Sequence, residues 1–500
     1  MPKTSLDKDL KKVGRLETAT TDLARGMALP GMAGVFLAAV AIFVAAFLSE
    51  GPLAIYVVVG ALIGGYLALN IGANDVANNM GPAVGSKALP MAAALVIAAV
   101  CEGAGAMLAG GDVVSTISKS IVTPPADMPA VNFILLMMSA FLSAAIWINL
   151  ATVLNAPVST THSVVGGVLG AGLAAAGASV VSWGTMAAIA ASWVISPVMG
   201  GVIAAAFLAF VKWSILFRED RVSAARRWVP VLIALMAGVF VLYMLGKGLK
   251  KVVDVSDPAS LVLAVLAALA MWAVARPWVN RRCRDMDNRR KEVSRLFVAP
   301  LIGAAALLSF AHGANDVANA VGPLAAIVAA AKTQTAAPTA VELPIWVLLI
   351  GAAGISLGLA LFGPRLIRTV GQQITKMDPM RAYCVALSAA ITVLIASHLG
   401  LPVSSTHIAI GGVFGVGLLR EILTNRGLRR RQDREPVPLT EDQINETPED
   451  AVKKLKKQER RRLVRRQHGW TIAAAWVITV PAAGGLAAML YLGLSLMSRA

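Results

Sequence analysis

Thirteen apolar runs, most of them close to 20 residues long, limit what this chain can become. They fall at roughly 31–49, 53–70, 88–110, 130–155, 157–180, 182–211, 229–246, 259–275, 296–312, 344–363, 381–399, 401–419 and 470–497. About 20 apolar residues in a helix reach across the hydrocarbon core of a bilayer. Inside that core each backbone N–H and C=O must be satisfied by the chain itself, which a helix does segment by segment. The runs therefore predict an all-α integral membrane protein with about 12–13 transmembrane segments. Composition agrees, with 57% hydrophobic and 15% charged residues and a mean hydropathy of +0.71. The 44 glycines suit helices that pack closely in lipid.

Charge then assigns direction. The net charge is +17, and the basic residues sit in short stretches between apolar runs. That is the positive-inside pattern of cytoplasmic loops. No nucleic-acid reader motif accompanies it, so nucleic acid is not an expected partner. The basic stretches are 212–228 (Lys212, Arg218, Arg221, Arg226, Arg227), 276–295 (Arg276, Arg281, Arg282, Arg284, Arg289, Arg290, Lys291, Arg295) and 420–469. Placing all three inside sends the run at 296–312 outward and the run at 53–70 inward. The N-terminus then lies in the cytoplasm and the C-terminus outside. The count needs 157–180 and 401–419 each to make a net crossing, and re-entrant hairpins there would change the local path. No Walker sequence and no cofactor motif is present, which argues against ATP-driven transport by this chain alone. The expectation is a non-enzyme without a cofactor. Cys101, Cys283 and Cys384 have no close spacing and indicate neither a disulfide framework nor a zinc site.

The runs and loops divide the chain into six parts. Residues 1–50 hold a polar cytoplasmic tail and an extra first helix. Residues 51–212 and 296–420 are two transporter-like repeats, joined by the basic loops and hairpin of 213–295. Residues 421–469 form a basic cytoplasmic loop, and 470–500 a last helix. Within that loop 432–450 is acidic and reads as flexible. Residues 451–466 carry nine Lys or Arg and one Glu, and read equally as a helix on anionic headgroups or as a solvated one.

Two duplicated motifs carry the chemistry. Gly72-Ala73-Asn74-Asp75-Val76-Ala77-Asn78 returns 241 positions later as Gly313-Ala314-Asn315-Asp316-Val317-Ala318-Asn319, and each copy is followed by Gly-Pro. Each copy ends an apolar run, where an uncompensated Asp is costly and marks a functional site by default. With the loops assigned as above, the two copies enter the membrane from opposite faces. The chain is then an inverted-topology repeat, with broken or re-entrant helices at the paired motifs. The second pair is Pro157-Val158-Ser159-Thr160-Thr161-His162 and Pro402-Val403-Ser404-Ser405-Thr406-His407, at an offset of 245. Proline, then hydroxyl residues, then a Gly-rich apolar run reads as a helix start. Helix starts bind anions through free N–H groups and the helix dipole. Ser159, Thr160, Thr161, Ser404, Ser405 and Thr406 add uncharged donors, and a tetrahedral oxyanion fits between two such starts. Asp75 and Asp316, with Asn74, Asn78, Asn315 and Asn319, offer hard oxygens for Na⁺, or an Asp takes a proton. His162 and His407 can brace the hydroxyls, contact the anion or titrate, and bracing is the preferred reading. Glu102 is an accessory candidate for the cation. Lys87 reads as a snorkelling surface lysine, and Asp112 and Lys119 as solvated residues of an external loop.

At these residues the chain resembles the inorganic phosphate transporter family called PiT, over roughly 53–212 and 296–420. The resemblance implies an inverted-repeat fold, often a homodimer, that carries phosphate together with Na⁺ or H⁺. It implies Asp75 and Asp316, helped by the four asparagines, as cation ligands and the six hydroxyls as phosphate ligands. Glu102 matches a Glu of relatives, whereas Ala386 stands where many of them carry a second Glu. Repeat alignment leaves Glu102 opposite an apolar residue near Ile355. The expectation is a multi-pass protein of the cell inner (plasma) membrane that imports phosphate by symport through alternating access. A sulfate or other oxyanion permease is the alternative within the class. An anion channel or a phosphate-sensing membrane protein is the alternative outside it.

Overall fold

A computed structural model describes residues 27–48, 50–154, 156, 158–248, 255–336, 343–373, 377–425 and 466–498. The N-terminal tail, the acidic 432–450 stretch and nearly all of the basic 451–466 stretch lie outside the described residues. Thirteen main helices follow in order: α1 (Met27–Phe47), α2 (Ala54–Gly85), α3 (Met91–Ala109), α4 (Ala130–Val153), α5 (Thr160–Ala176), α6 (Trp183–Val211), α7 (Arg221–Tyr243), α8 (Asp257–Arg282), α9 (Val298–Thr333), α10 (Ile345–Gln373), α11 (Pro379–His398), α12 (Ser405–Asn425) and α13 (Arg466–Met497). All but α5, which has 17 residues, are long and apolar enough to cross a membrane. Among the described residues there is no strand, and the isolated bridge between Val122 and Val181 is the one β-type contact. Outward faces are apolar, as on α8, where Leu261, Val262, Val265, Leu266 and Leu269 are exposed. The protein is thus an all-α, multi-pass membrane protein.

The helices at the first motif pair differ from the sequence expectation. The apolar runs stop near residues 70 and 312, but α2 continues unbroken through Asp75 to Gly85, and α9 through Asp316 to Thr333. Neither helix is broken at its motif. Polar residues stay helical there because the neighbours bury and bond them, so hydropathy under-reports the length of each helix. Pro82 and Pro323 lie inside these helices. Each withholds the N–H that would pair with the carbonyl four residues back, on Asn78 and Asn319. Helices in lipid tolerate this where neighbours re-satisfy the backbone.

The α2 and α9 helices run antiparallel. A Cβ on Gly60 would meet Ile327, one on Gly64 would meet the Ala320 backbone, and Asp75 lies beside His312. Four further crossings approach at backbone distance because glycine leaves no Cβ in the way. Gly72 of α2 lies on the Ile355 carbonyl of α10, and Gly313 of α9 on the Glu102 carbonyl of α3. Gly170 of α5 meets Gly484 of α13, and Gly415 of α12 meets Gly201 of α6.

The helices α4 and α5 form a hairpin, as do α11 and α12. The first tip reaches α2 at Asn74, whose Nδ2 donates to Thr152 Oγ1 (3.0 Å) and the Ala156 carbonyl (3.5 Å). The α2 helix then runs on for about 16 Å to Gly85. The far end of α5 returns to the segment before α4, where Thr123 N donates to the Val180 carbonyl and Ser182 N to the Ile121 carbonyl. The second tip meets α9 at Asn315, bonded to Ser397 Oγ (3.0 Å) and the Leu401 carbonyl (3.2 Å). The segments 157–180 and 401–419 therefore double back as hairpin arms whose tips lie at the motifs of α2 and α9.

Lys87 is exposed in the turn after α2, with φ of 62°. Asp112 lies in a short helix, Gly111–Ser115, and Lys119 in a π-helical turn, Thr116–Ser120, while their side chains lie outside the described residues.

Candidate functional site

Two antiparallel helices and two hairpin tips bring the duplicated motifs to one buried point. Asp75 and Asp316 are each 1% exposed, and Thr160, Thr161, Ser404, Ser405 and Thr406 are equally enclosed. Thr160 Oγ1 lies 2.9 Å from Asp75 Oδ2 and 3.2 Å from Asp316 Oδ2, so one hydroxyl of the first tip spans both carboxylates. Thr406 Oγ1, from the second tip, lies 3.2 Å from Asp75 Oδ1. The arrangement is reciprocal between the halves. Asn78 Nδ2 donates to Thr406 Oγ1 (2.7 Å), and Asn319 Nδ2 donates to Thr161 Oγ1 (3.0 Å). Each motif helix thus grips the tip that comes from the other half.

The helix starts form much as expected, with one correction. Ser159 caps α5 by accepting from His162 N (3.1 Å), and Ser404 caps α12 by accepting from His407 N (3.4 Å). Pro402 stands two residues before that cap, not within the first turn, so it shapes the approach rather than the helix. Pro157 lies outside the described residues.

Several buried oxygens at this point carry no hydrogen-bond partner, namely Asp316 Oδ1, Asn74 Oδ1, Asn319 Oδ1 and Ser405 Oγ. Hard oxygens without partners suit a hard cation or a ligand that brings its own protons. The four asparagines divide in two. Asn78 and Asn319 face the hydroxyls, while the amide groups of Asn74 and Asn315 hold the hairpin tips. His162 and His407 meet ring to ring at 4.5 Å.

Sequence reasoning missed His312 and Asn79. The His312 ring lies among three carboxylates, with Nε2 3.1 Å from Asp316 Oδ2 and 3.5 Å from Asp75 Oδ2, and Nδ1 3.2 Å from Glu102 Oε2. Glu102 Oε1 in turn accepts from Asn79 Nδ2 at 2.8 Å. Asp75, Asp316 and His312 together offer three metal-ligand atoms within 4.8 Å of one another. This polar chain joins both halves and has no symmetry-related counterpart among the described residues. The motif offset places Ile71 opposite His312 and Ala320 opposite Asn79, and the paired glycine crossings place Ile355 opposite Glu102. All six residues are fully buried or nearly so. The signal was available beside the motif, since His312 directly precedes one copy and Asn79 directly follows the other. Reading only what the copies share hides both.

Comparison with known proteins shows the family. The sequence profile of the family described as "Phosphate transporter family" matches residues 71–487. A Helicobacter pylori (strain J99) protein named "Putative phosphate permease" is 42% identical, over 98% of this chain and 99% of its own. A Chlamydia muridarum protein of the same name is 36% identical, over 73% of this chain and 90% of its own. A solved structure titled "The sodium-dependent phosphate transporter" superposes with a TM-score of 0.75 at 33% identity, covering 88% of this chain and 99% of that one. With the family profile spanning both motif pairs and a relative aligned end to end, this chain belongs to the phosphate transporter family.

Proposed function

We propose that the protein imports inorganic phosphate by cation symport, with both solutes bound where the two motif pairs converge. One observation carries the reading: hydroxyls of two helix N-termini meet two buried carboxylates on antiparallel helices, Thr160 spanning both and Thr406 reaching Asp75. A cation between Asp75 and Asp316 offsets the cost of burying two like charges. A phosphate at the hydroxyl-bearing starts of α5 and α12 then meets N–H dipoles and a neutralised floor. Cation binding favours anion binding because each lowers the desolvation cost of the other. Asp75, Asp316, Asn78 and Asn319 are assigned to the cation, with Asn74 and Asn315 orienting the tips. The six hydroxyls are assigned to phosphate, and His312, braced by Glu102, makes the cation site one-sided.

The likeness to a sodium-dependent transporter favours Na⁺ as the coupling ion. Antiparallel α2 and α9, with their reciprocal tip contacts, support an inverted repeat. Motion of the hairpins against the motif helices gives alternating access. The basic turns between α6 and α7 and between α8 and α9 face the cytoplasm, which leaves the N-terminus inside and the C-terminus outside the plasma membrane. A homodimer belongs to the same reading and rests on the family resemblance.

The test is radiolabelled phosphate uptake by proteoliposomes under a Na⁺ gradient or a proton gradient, with excess sulfate as competitor. Uptake driven by Na⁺ and indifferent to sulfate supports the reading. Flux that ignores both gradients points to a channel, and strong inhibition by sulfate transfers the substrate to another oxyanion.

A further inference from the structure

We infer that His162, His407 and Trp193 form a clasp that positions the two hydroxyl-bearing tips and so sets the width of the phosphate site. The inference rests on the reading of those hydroxyls as the phosphate ligands.

The tips touch across a short seam. Thr161 Oγ1 donates to the Val403 carbonyl (2.9 Å), and Thr406 Oγ1 to the Val158 carbonyl (3.5 Å). One residue further into each helix the imidazoles meet edge to face, with centroids 4.5 Å apart and planes at 88°. His162 also rests on the indole of Trp193, with centroids 3.8 Å apart. Trp193 belongs to α6, which is joined to the second hairpin through the Gly201–Gly415 crossing with α12. The ring at the first tip therefore contacts two groups that belong with the second tip. Both histidines are buried, at 4% and 1% exposure.

Each ring shares a helical turn with the hydroxyls that reach Asp75, so displacing the ring rotates those hydroxyls. Thr160 and Thr406 hold Asp75 at 2.9 and 3.2 Å, a geometry that a drifting tip loses. The assignment makes these three positioning residues, acting on phosphate through the tips.

The experiment measures initial uptake by proteoliposomes over a range of phosphate at saturating coupling cation, together with the thermal midpoint of each purified protein. The variants are His162→Ala, His407→Ala, both together, His162→Phe, Thr160→Val and Thr406→Val. Each alanine variant is expected to raise the phosphate KM about tenfold, the upper range of an aromatic pair, with the maximal rate within about twofold. The double variant should be no worse than the worse single, because one contact is lost once. His162→Phe keeps a ring between Trp193 and His407 and should stay near wild type. An unchanged KM in both alanine variants overturns the clasp. So does a His162→Phe variant as impaired as His162→Ala, since an imidazole nitrogen would then be the requirement. A lowered thermal midpoint with unchanged KM also overturns it, leaving a structural role. Raised KM in the threonine variants with normal His162→Ala removes the clasp alone. Normal KM in both threonine variants removes the hydroxyl reading, while the histidine variants still report whether the clasp sets the width.

Discussion

Replacing Gly313 by alanine should disconnect Glu102 from His312 without altering either side chain. An ideal Cβ at Gly313 falls 2.0 Å from the Glu102 carbonyl oxygen and 2.7 Å from its Cα. A tolerable carbon–oxygen contact needs about 3.3 Å, so α9 and α3 must part by about 1.3 Å at the crossing. The His312 Nδ1 to Glu102 Oε2 distance, now 3.2 Å, then grows beyond hydrogen-bond reach. Overpacking costs about 1–3 kcal/mol, and losing a contact between ionisable buried groups about 1.5–3 kcal/mol. The better helix propensity of alanine returns only about 1 kcal/mol, so destabilisation wins. Gly485→Ala is the control, since its Cβ would meet nothing within 4 Å and should gain the propensity alone. The assay pairs thermal unfolding in detergent, followed by tryptophan fluorescence, with phosphate uptake. Gly313→Ala should unfold at a clearly lower temperature and transport poorly, whereas Gly485→Ala matches or exceeds wild type. Equal stability and uptake in the two variants would refute the argument that this crossing holds the polar chain.

Further outcomes follow from the same contacts. Asp75→Asn and Asp316→Asn should each abolish gradient-driven uptake while the purified protein keeps its thermal midpoint, and wild-type uptake by either removes that residue from coupling. Thr160→Val deletes a hydroxyl within 3.2 Å of both carboxylates and should raise the cation concentration for half-maximal uptake by about tenfold, for a loss of about 1–2 kcal/mol. An unchanged cation dependence would mean that the hydroxyl plays no part in holding the carboxylate pair. Tyr383→Phe removes a bond from the phenol to the Leu232 carbonyl (3.1 Å) that ties α11 to α7. It should cost about 1 kcal/mol of stability and leave the phosphate KM unaltered, and a shifted KM would place Tyr383 in the transport path.

What the sequence could reveal followed from repetition and from hydropathy. Apolar runs named the helices, because a bilayer accepts little else. Two motifs at nearly equal offsets marked Asp75, Asp316 and the hydroxyl clusters, because a duplicated polar stretch in lipid is too costly to persist without use. Helix lengths at the motifs escaped that reading. Asn74, Asp75 and Asn78 look like the end of a span by hydropathy, yet hairpin tips bury and bond them, and the helix carries on to Gly85. For 157–180 and 401–419 the sequence left a net crossing and a re-entrant hairpin both open, since a hairpin arm and a crossing helix have the same composition. Tertiary structure alone decided that Asn78 reaches Thr406 and Asn319 reaches Thr161, contacts across 328 and 158 positions. It alone set His312 among three carboxylates. Repetition reports what two halves have in common. The asymmetry that distinguishes them arises only when antiparallel helices bring single-copy side chains to one place, and no local pattern encodes that meeting.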